Sequence, residues 1–301
     1  MLILKTVTDA HRFLKLPAPK HPLISFVPAK DFHAEVEVGT KVRIDLFQIW
    51  LKPGTDCEVG YGRNSFDFRE GALAFFKAGQ VVTVTSPVSE VPSEGWLLLF
   101  HPDLIRMSDL GKNIHRYGFF DYETYESLHV SEAEKQALTD LAHKIDSELS
   151  LNLDRYSQKL IVSTLELLLD YCLRYYDRQF LVRTQLNQGL IDRFERELNA
   201  YFEEEKHLDQ GLPSVKYLGE QLHLSPQYLS DLLKKETGKN AQEHIHFHLI
   251  EQAKNYLLGT EEPVSQIAYQ LGFAYPQHFT KLFKNKTGLT PVAFRNGEGV
   301  S

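Results

Sequence analysis

The sequence predicts an α+β chain of more than one domain, in which an antiparallel β-sheet domain precedes helices and an all-α C-terminal domain. Three observations predict this. Short β-branched and aromatic runs recur up to about residue 100, helical periodicity starts near residue 130, and the last ninety residues contain an internal repeat. The length of 301 residues also exceeds the roughly 100–200 residues of a typical single domain.

The β-domain is predicted from apolar runs that alternate with turn-forming residues. The runs cover residues 42–51, 72–76, 80–85 and 96–100, and the turn signals between them are Pro53-Gly54, Gly60, Gly71, Gly79 and Pro92. Strands that recur about every 8–12 residues without helical periodicity are typical of an antiparallel sandwich or barrel.

Three helices are predicted between the β-domain and the repeat. Ser131 and Glu134 form a capping-box pattern at the start of the first helix. The second helix begins near residue 154 and has an apolar stripe that either packs within the chain or contacts another subunit: Ile161, Leu165, Leu168, Cys172 and Tyr175. The third, about 185–206, repeats Leu190, Phe194, Leu198 and Phe202 every four residues, and residues 207–213 are predicted to be a linker.

The net charge of −7 does not exclude a nucleic-acid partner, because the acidic residues are concentrated in the middle of the chain. Lys and Arg minus Asp and Glu gives 12 − 19 = −7 for residues 111–210, but 9 − 8 = +1 for residues 211–301. The segment 277–286 contains three lysines and no acidic residue. A solvated acidic helical region turned away from DNA is compatible with this distribution.

The apolar runs are too short to cross a membrane, and the N-terminal residues lack the layout of a signal peptide. We therefore expect a cytoplasmic protein. Its two cysteines, Cys57 and Cys172, are too few for a disulfide framework or a zinc site, so reduced thiols are expected.

The C-terminal repeat becomes visible when the sequence is compared with itself. Residues 218–222 match 267–271 at an offset of 49, and residues 226–230 match 276–280 at an offset of 50. Similar residues fall on apolar and turn positions, which indicates one small structural unit that occurs twice.

Each unit has the pattern of a helix, a tight turn and a second helix. In the first unit the signals are Ser214 as N-cap, Gly219 at a close helix approach, Ser225-Pro226 at the second helix start and Gly238 at its end. The corresponding signals in the second unit are Pro263, Ala268, Gly272, Pro276 and Gly288. One such pattern is typical of any helical hairpin, whereas two copies favour a double helix-turn-helix.

Residues 241–258 between the units are predicted to form a helix, from apolar positions Ile245, Leu249, Ala253, Tyr256 and Leu257. At about 1.5 Å per residue this helix is roughly 27 Å long. Successive major grooves on one side of B-DNA are roughly 34 Å apart. A rigid helix of this length can hold two groove-binding helices apart.

The C-terminal region resembles the AraC/XylS family of bacterial transcription regulators. The resemblance covers about residues 213–295 and rests on 218–222, 225–229, 267–273, 288–295 and the motif Phe/Leu-Lys-x-x-Thr-Gly in both halves. It implies a DNA-binding domain of about seven helices, preceded by a cupin-like β-barrel with helices that senses a small molecule or dimerises. We accordingly divide the chain into a cupin-like sensor or dimerisation domain (1–125), a helical dimerisation and connecting region (126–210) and the DNA-binding domain (211–301).

The resemblance and the helix positions together predict the residues that contact DNA. The base-contacting candidates are Gln227, Ser230, Asp231, Gln277, His278 and Lys281, since amide, ammonium and carboxylate groups can pair with base edges. The phosphate-contacting candidates are Tyr228, Lys234, Lys235, Lys284 and Lys286.

Asp231 departs from the family pattern, which often has a basic residue there. An acid near phosphate is repelled unless it meets a cytosine or pairs with Lys235, four residues on. We therefore expect the second unit to contribute more of the electrostatic affinity.

Other site types are weakly supported. His244, His246 and His248 lack a completing Glu and are more typical of solvated or packed side chains than of a metal site, and residues 24–110 contain only His33 and His101. We therefore expect no enzyme activity, catalytic residue, metal or cofactor. The aromatic residues of the strands are more typical of core than of a ligand pocket, so no effector contact is assigned.

We expect double-stranded DNA as partner, no membrane, and a homodimer formed through the barrel or the helices of 131–206. A small-molecule effector in the barrel would be consistent with the resemblance. The alternatives are a cupin-type small-molecule-binding protein or enzyme whose repeat does not bind DNA, and a constitutive DNA-binding protein without an effector.

Overall fold

The computed structural model describes residues 2–32, 37, 39–52, 59–61, 64–66, 71–83, 94–151, 154–182 and 184–297. The chain divides into two compact units, Met1–Val182 and Arg183–Ser301. The first unit contains all the described strands and five α-helices, and the described part of the second contains only helices as regular structure. The predicted order, an antiparallel sheet-rich region followed by an all-α C-terminal region, is confirmed.

The strands of the first unit form sheets of five, three and two strands. Their bounds are β1 Leu2–Leu4, β2 Ile24–Pro28, β3 Lys41–Ile44, β4 Phe47–Lys52, β5 Val59–Tyr61, β6 Asn64–Phe66, β7 Ala72–Phe76, β8 Gln80–Thr83, β9 Trp96–Phe100 and β10 Leu128–His129.

The five-stranded sheet has the order β10-β7-β4-β9-β2 and is antiparallel throughout. The smaller sheets are β1-β3-β8 and β5-β6. The β1–β3 pair is parallel, and β1 lies before the runs from which the antiparallel strands are predicted. Parts of the segments that would complete the predicted cupin-like barrel, 53–58 and 84–93, lie outside the described residues.

Both faces of the five-stranded sheet are covered, which explains why every residue of β9 is buried. The first helix, α1 (Val7–Phe13), covers one face and packs in one cluster with Val27, Leu97 and Leu99. On the other face the ring of Phe75 lies 4.4 Å from that of Phe119 and 6.1 Å from that of Tyr176, centroid to centroid. A strand buried on both sides is apolar along its whole length rather than alternating.

The remaining helices of the first unit are α2 Pro102–Ile105, α3 Asp109–Asn113, α4 Glu132–Leu149 and α5 Ser157–Val182. The predicted capping box at the start of α4 is present, since Glu134 donates its backbone N–H to Ser131 Oγ and accepts the Ser131 N–H. All five residues of the predicted apolar stripe of α5 are buried. Of the two alternatives for this stripe, the one in which it packs within the chain is therefore confirmed.

The second compact unit contains eight helices within its described residues. They are α6 Thr184–Glu203, α7 Lys206–Gln210, α8 Val215–Leu222, α9 Pro226–Thr237, α10 Ala241–Gly259, α11 Val264–Gln270, α12 Pro276–Thr287 and α13 Pro291–Arg295. The predicted linker 207–213 was wrong in part, because residues up to Gln210 form α7.

Helix α6 lies in the second compact unit, whereas the sequence-based division assigned it to the connecting region. It packs against α8 and α9. Its buried stripe includes Ile191, Phe194, Leu198 and Tyr201 rather than a strict four-residue repeat. A helix has 3.6 residues per turn, so a strict repeat of four drifts off the buried face.

No helix in the described part of the chain combines the length and the apolar character that a membrane span requires.

The buried stripe of α5 allows a direct test of packing. Leu165 is 0% exposed, and Leu165→Ala should lower the free energy of unfolding by about 2–5 kcal/mol because it leaves a cavity. Met107 is 90% exposed, so Met107→Ala should change it by less than about 0.5 kcal/mol. Urea denaturation of both variants measures the difference, and equal effects would contradict the assigned packing of α5.

Candidate nucleic-acid interface

The first repeat unit is a helix-turn-helix made of α8 and α9. Ser214 Oγ accepts the N–H of Tyr217 at the start of α8, and Ser225 Oγ accepts the N–H of Tyr228 at the start of α9. Gly238, with a φ of 78°, ends α9 in the left-handed conformation that glycine adopts without strain. The N-caps and the helix end predicted from the sequence are confirmed.

Gly219 allows α8 to approach the turn closely. A Cβ atom at this position would lie 2.6 Å from the carbonyl oxygen of Leu224, and the N–H of Leu224 donates to the Gly219 carbonyl at 2.9 Å. The corresponding residue of the second unit, Ala268, is fully buried. The two units therefore share one design, but only the first lacks room for a side chain.

The second repeat unit consists of α11 and α12. Pro276 is the first residue of α12, and Gly288 ends the helix with a φ of 81°. The aromatic side chains of this unit form a chain of ring contacts that fixes α12 and α13, with centroid distances of 5.5 Å for Phe273–Phe279, 5.8 Å for Phe279–Phe283 and 5.4 Å for Phe283–Phe294.

Helix α10 joins the two units. It runs over 19 residues, Ala241–Gly259, and starts with a capping box between Asn240 and Glu243. At about 1.5 Å per residue it is roughly 28 Å long. The predicted apolar face is confirmed at Ile245, Leu249, Ala253 and Leu257, all buried, whereas Tyr256 is exposed. The joining segment is thus one continuous helix with a packed face.

The second helix of each unit, α9 and α12, carries the predicted contact residues; we call these two the recognition helices. On α9, Gln227, Ser230 and Asp231 are partly exposed and share one face, and Lys234 and Lys235 are exposed. On α12 all five candidates are exposed: Gln277, His278, Lys281, Lys284 and Lys286. Ten of the eleven candidates therefore reach the surface of their unit.

Tyr228 is the exception and corrects the prediction. It is 3% exposed, although a phosphate contact requires an accessible hydroxyl. Position 228 lies on the inner side of α9 with Leu229, Leu232 and Leu233, which are also buried. We therefore leave Tyr228 out of the proposed contacts.

The two recognition helices differ in charge. Within α12 there are three lysines and no acidic residue, while α9 contains Asp231 and Glu236 beside Lys234 and Lys235. The amide Nε2 of Gln227 donates to both carboxylate oxygens of Asp231, at 3.2 and 3.1 Å. The α12 surface is therefore the more basic of the two.

Two histidines of α10 pack against aromatic rings, and His246 Nε2 lies 2.9 Å from Nε2 of Gln242. The ring centroid of His244 lies 5.6 Å from that of Phe194, and His248 stacks on Phe202 at 4.6 Å. Burial lowers the pKa of His244, His246 and His248 below the ordinary value of 6.5. The lowered pKa favours the neutral ring, so the positive charge of this region rests mainly on lysine and arginine.

Sequence reasoning missed Tyr275, which occupies the N-cap position of α12. It is 59% exposed, and its ring centroid lies 5.5 Å from that of His278. The residue before Pro276 could have been identified from the sequence, since Ser225 holds the same place before Pro226 in the first unit.

The close approach at Gly219 allows a stability test of the first repeat unit. Gly219→Ala should cost about 1–3 kcal/mol of unfolding free energy, because the added methyl group overlaps backbone. Gly259→Ala is the matched control, since a Cβ there has no atom within 4 Å and the change should be neutral or stabilising by up to about 1 kcal/mol. Thermal denaturation followed by the α-helical circular dichroism signal distinguishes the two variants. A Gly219→Ala protein with unchanged stability would refute the close approach.

Residues 218–297 match the family model described as "Helix-turn-helix domain". The chain is 37% identical over 90 residues to the transcriptional regulator YobQ of Bacillus subtilis, covering 30% of this chain and 37% of YobQ. It is 30% identical over 143 residues to the arabinose operon regulatory protein of Escherichia coli, covering 48% of this chain and 46% of that protein. This chain thus spans less than half the length of either relative.

Among solved structures, the C-terminal domain of the two-component response regulator yesN from Fusobacterium nucleatum is 33% identical, with 34% of this chain and 96% of that chain covered and a TM-score of 0.30. The family match falls on both repeat units, whose helix starts, turns and ends are described above. Residues 218–297 therefore form a helix-turn-helix domain.

Proposed function

We propose that this protein is a sequence-specific DNA-binding transcription regulator that contacts two successive major grooves with α9 and α12. The observation that carries the proposal is the pair of helix-turn-helix units, each with a polar face exposed on its second helix and joined by one continuous helix. The names of the similar proteins, which are transcriptional regulators, support the same function.

The proposed base contacts follow from the chemistry of the exposed face of each helix. On α12, Gln277 suits adenine and Lys281 suits guanine, and His278 lies beside them. On α9, Gln227, Ser230 and Asp231 form the corresponding face. The Gln227–Asp231 pair presents carboxylate oxygens that can accept from the N4 amino group of cytosine.

The proposed phosphate contacts are Lys234 and Lys235 on α9 and Lys284 and Lys286 on α12. Lysines at the flanks of a recognition helix position it on the duplex without distinguishing bases. Because Asp231 and Glu236 offset the charge of the lysines on α9, we propose that α12 supplies more of the salt-dependent affinity.

This ranking can be tested by salt titration of DNA binding. Lys281→Ala should lower affinity about tenfold and reduce the salt slope by about one, while Asp231→Ala should lose discrimination at one base pair and keep its affinity for DNA in general. Lys112→Ala is the control. Lys112 lies in the first compact unit, Met1–Val182, and its side chain is 71% exposed, so the variant loses the same charge and its DNA binding should be unchanged.

Gel-shift titrations between about 50 and 200 mM salt give both quantities. The ranking fails if Lys281→Ala leaves affinity and slope unchanged while Asp231→Ala abolishes binding. DNA binding itself is refuted if the wild-type protein binds no duplex from a random pool at low salt.

We further propose that the regulator acts as a homodimer in which α5 contributes to the subunit contact. The stripe of α5 opposite its buried face carries exposed apolar residues, among them Leu160 at 53% and Leu167 at 46%. The two leucines are seven residues apart, so they lie on one side of the helix. Exposed leucines at this spacing support a contact between two copies of α5.

Replacing both leucines by glutamate should abolish this dimer, because two like charges would be buried in the contact. Sedimentation equilibrium should then report a monomer of 34.6 kDa instead of a dimer. Leu151→Glu is the control, since Leu151 is exposed and precedes α5. An unchanged dimer mass in the Leu160→Glu/Leu167→Glu protein would assign the contact to another surface, such as the barrel.

The remaining parts of the proposal concern location and control. A transcription regulator acts where the chromosome is, so we propose a cytoplasmic protein without enzymatic activity. Control by a small-molecule effector bound to the first compact unit, Met1–Val182, stays a prediction, and no effector-binding residue is assigned.

A further inference from the structure

Helix α11, the first helix of the second helix-turn-helix unit, is held at both ends by residues outside that unit. Arg295 of α13 acts near its N-terminal end, and His207 of α7 acts at its C-terminal end. Neither residue belongs to a recognition helix, and neither is among the predicted DNA contacts.

Arg295 links the end of α10 to the segment that leads into α11. Its Nε donates to the carbonyl oxygen of Leu257 at 3.1 Å, and one terminal guanidinium nitrogen donates to the carbonyl of Glu262 at 2.7 Å. Leu257 belongs to the last turn of α10, where carbonyls lack partners within the helix and favour a positive group. One planar guanidinium thus fixes both sides of the joint between α10 and α11.

The ring contact between Phe283 and Phe294 connects Arg295 to α12. Phe294 precedes Arg295 in α13, and Phe283 is a fully buried residue of α12. The guanidinium therefore joins the second recognition helix, through α13, to the end of the joining helix. Two charge-assisted hydrogen bonds of fixed geometry resist rotation better than a single flexible contact.

His207 holds the other end of α11. Its Nε2 lies 3.0 Å from the carbonyl oxygen of Gln270, the last residue of the helix. Next to it, Gly272 has a φ of 87°, and a Cβ there would lie 2.7 Å from the His207 carbonyl oxygen. The backbones of α7 and of the second turn are therefore in close contact.

The α7 segment is in turn attached to the first helix-turn-helix unit. Nζ of Lys206 donates to the hydroxyl of Tyr217 in α8 at 3.3 Å. The hydroxyl of Tyr201 in α6 donates to the carbonyl of Gly211 at 2.9 Å, and the ring centroid of Tyr201 lies 5.0 Å from that of Tyr217. His207 thus connects the first helix-turn-helix unit with the second by a route separate from α10.

We propose that Arg295 and His207 are positioning residues that fix the offset between the two recognition helices and so set the spacing of the two half-sites on DNA. The inference rests on the proposed function. The apolar packing of α10 against both units limits their relative motion, and one attachment at each end of α11 restricts it further. The offset then becomes a property of the folded domain rather than of the DNA.

The first test needs no DNA. Amide hydrogen exchange is measured on the full chain for wild type, Arg295→Ala, Arg295→Lys and His207→Ala. Both alanine variants should speed exchange in residues 264–273 at least about tenfold, since local opening becomes easier, while α8 and α9 keep wild-type rates. Arg295→Lys, which keeps the charge but not the planar pair of donors, should be intermediate. Lys254→Ala on α10 is the control.

The second test measures spacing tolerance on DNA. A duplex selected by the wild-type protein from a random pool is compared with versions that have one base pair added or removed between the half-sites. One base pair shifts the second half-site by about 3.4 Å and rotates it by roughly 35°. The wild type should lose about tenfold in affinity, a cost similar to one mismatched base pair, whereas the Arg295→Ala/His207→Ala protein should lose only about twofold.

The outcomes separate the two proposals. If the double variant keeps the wild-type exchange rates or the wild-type spacing penalty, the positioning role is wrong. If it loses affinity equally for all spacings and for a duplex with only the first half-site, the residues act on general stability, which also overturns it. A wild-type protein that selects no sequence refutes the proposed function, while the exchange experiment still decides whether the two residues hold α11.

Discussion

The packing of one face of α10 is the constraint on which the DNA-binding half of this molecule depends. Ile245, Leu249, Ala253 and Leu257 are all buried, so the helix that joins the two units is fixed by the cores on which it packs. Burial of apolar area of this kind is the main favourable term in folding. If α10 bent or frayed, the two recognition helices would lose their common frame even though each unit stayed folded.

Local signals explain what could be predicted from the sequence. Ser214, Ser225 and Gly238 act within a turn or two of their own position, and the repeat supported the helix end, since Gly288 corresponds to Gly238. The apolar stripe of α5 was also predictable, because periodicity in a long helix identifies the buried face whatever covers it. The exposed candidates on α9 and α12 follow from the same logic applied to the opposite face.

Contacts between distant residues were not predictable in this way. Arg295 and His207 form hydrogen bonds with backbone carbonyls of residues that lie 33 to 63 positions away in the chain. Every residue has a backbone carbonyl, so such a partner cannot be identified from residue type. Tyr228 was misplaced because an aromatic residue with a hydroxyl fits a core and a surface equally well. For α6 the period was recognised, but periodicity alone does not tell which domain a helix packs against.

The packing of α6 has a practical consequence for dissecting the chain. Phe194 and Leu198 are buried, and the amide of Asn187 donates to Glu236 at the end of α9 at 2.6 Å. A fragment that started at residue 211, the predicted start of the DNA-binding domain, would lack α6 and expose the apolar core of the first repeat unit to water. The smallest autonomous piece is therefore larger than the motif, because it has to include α6.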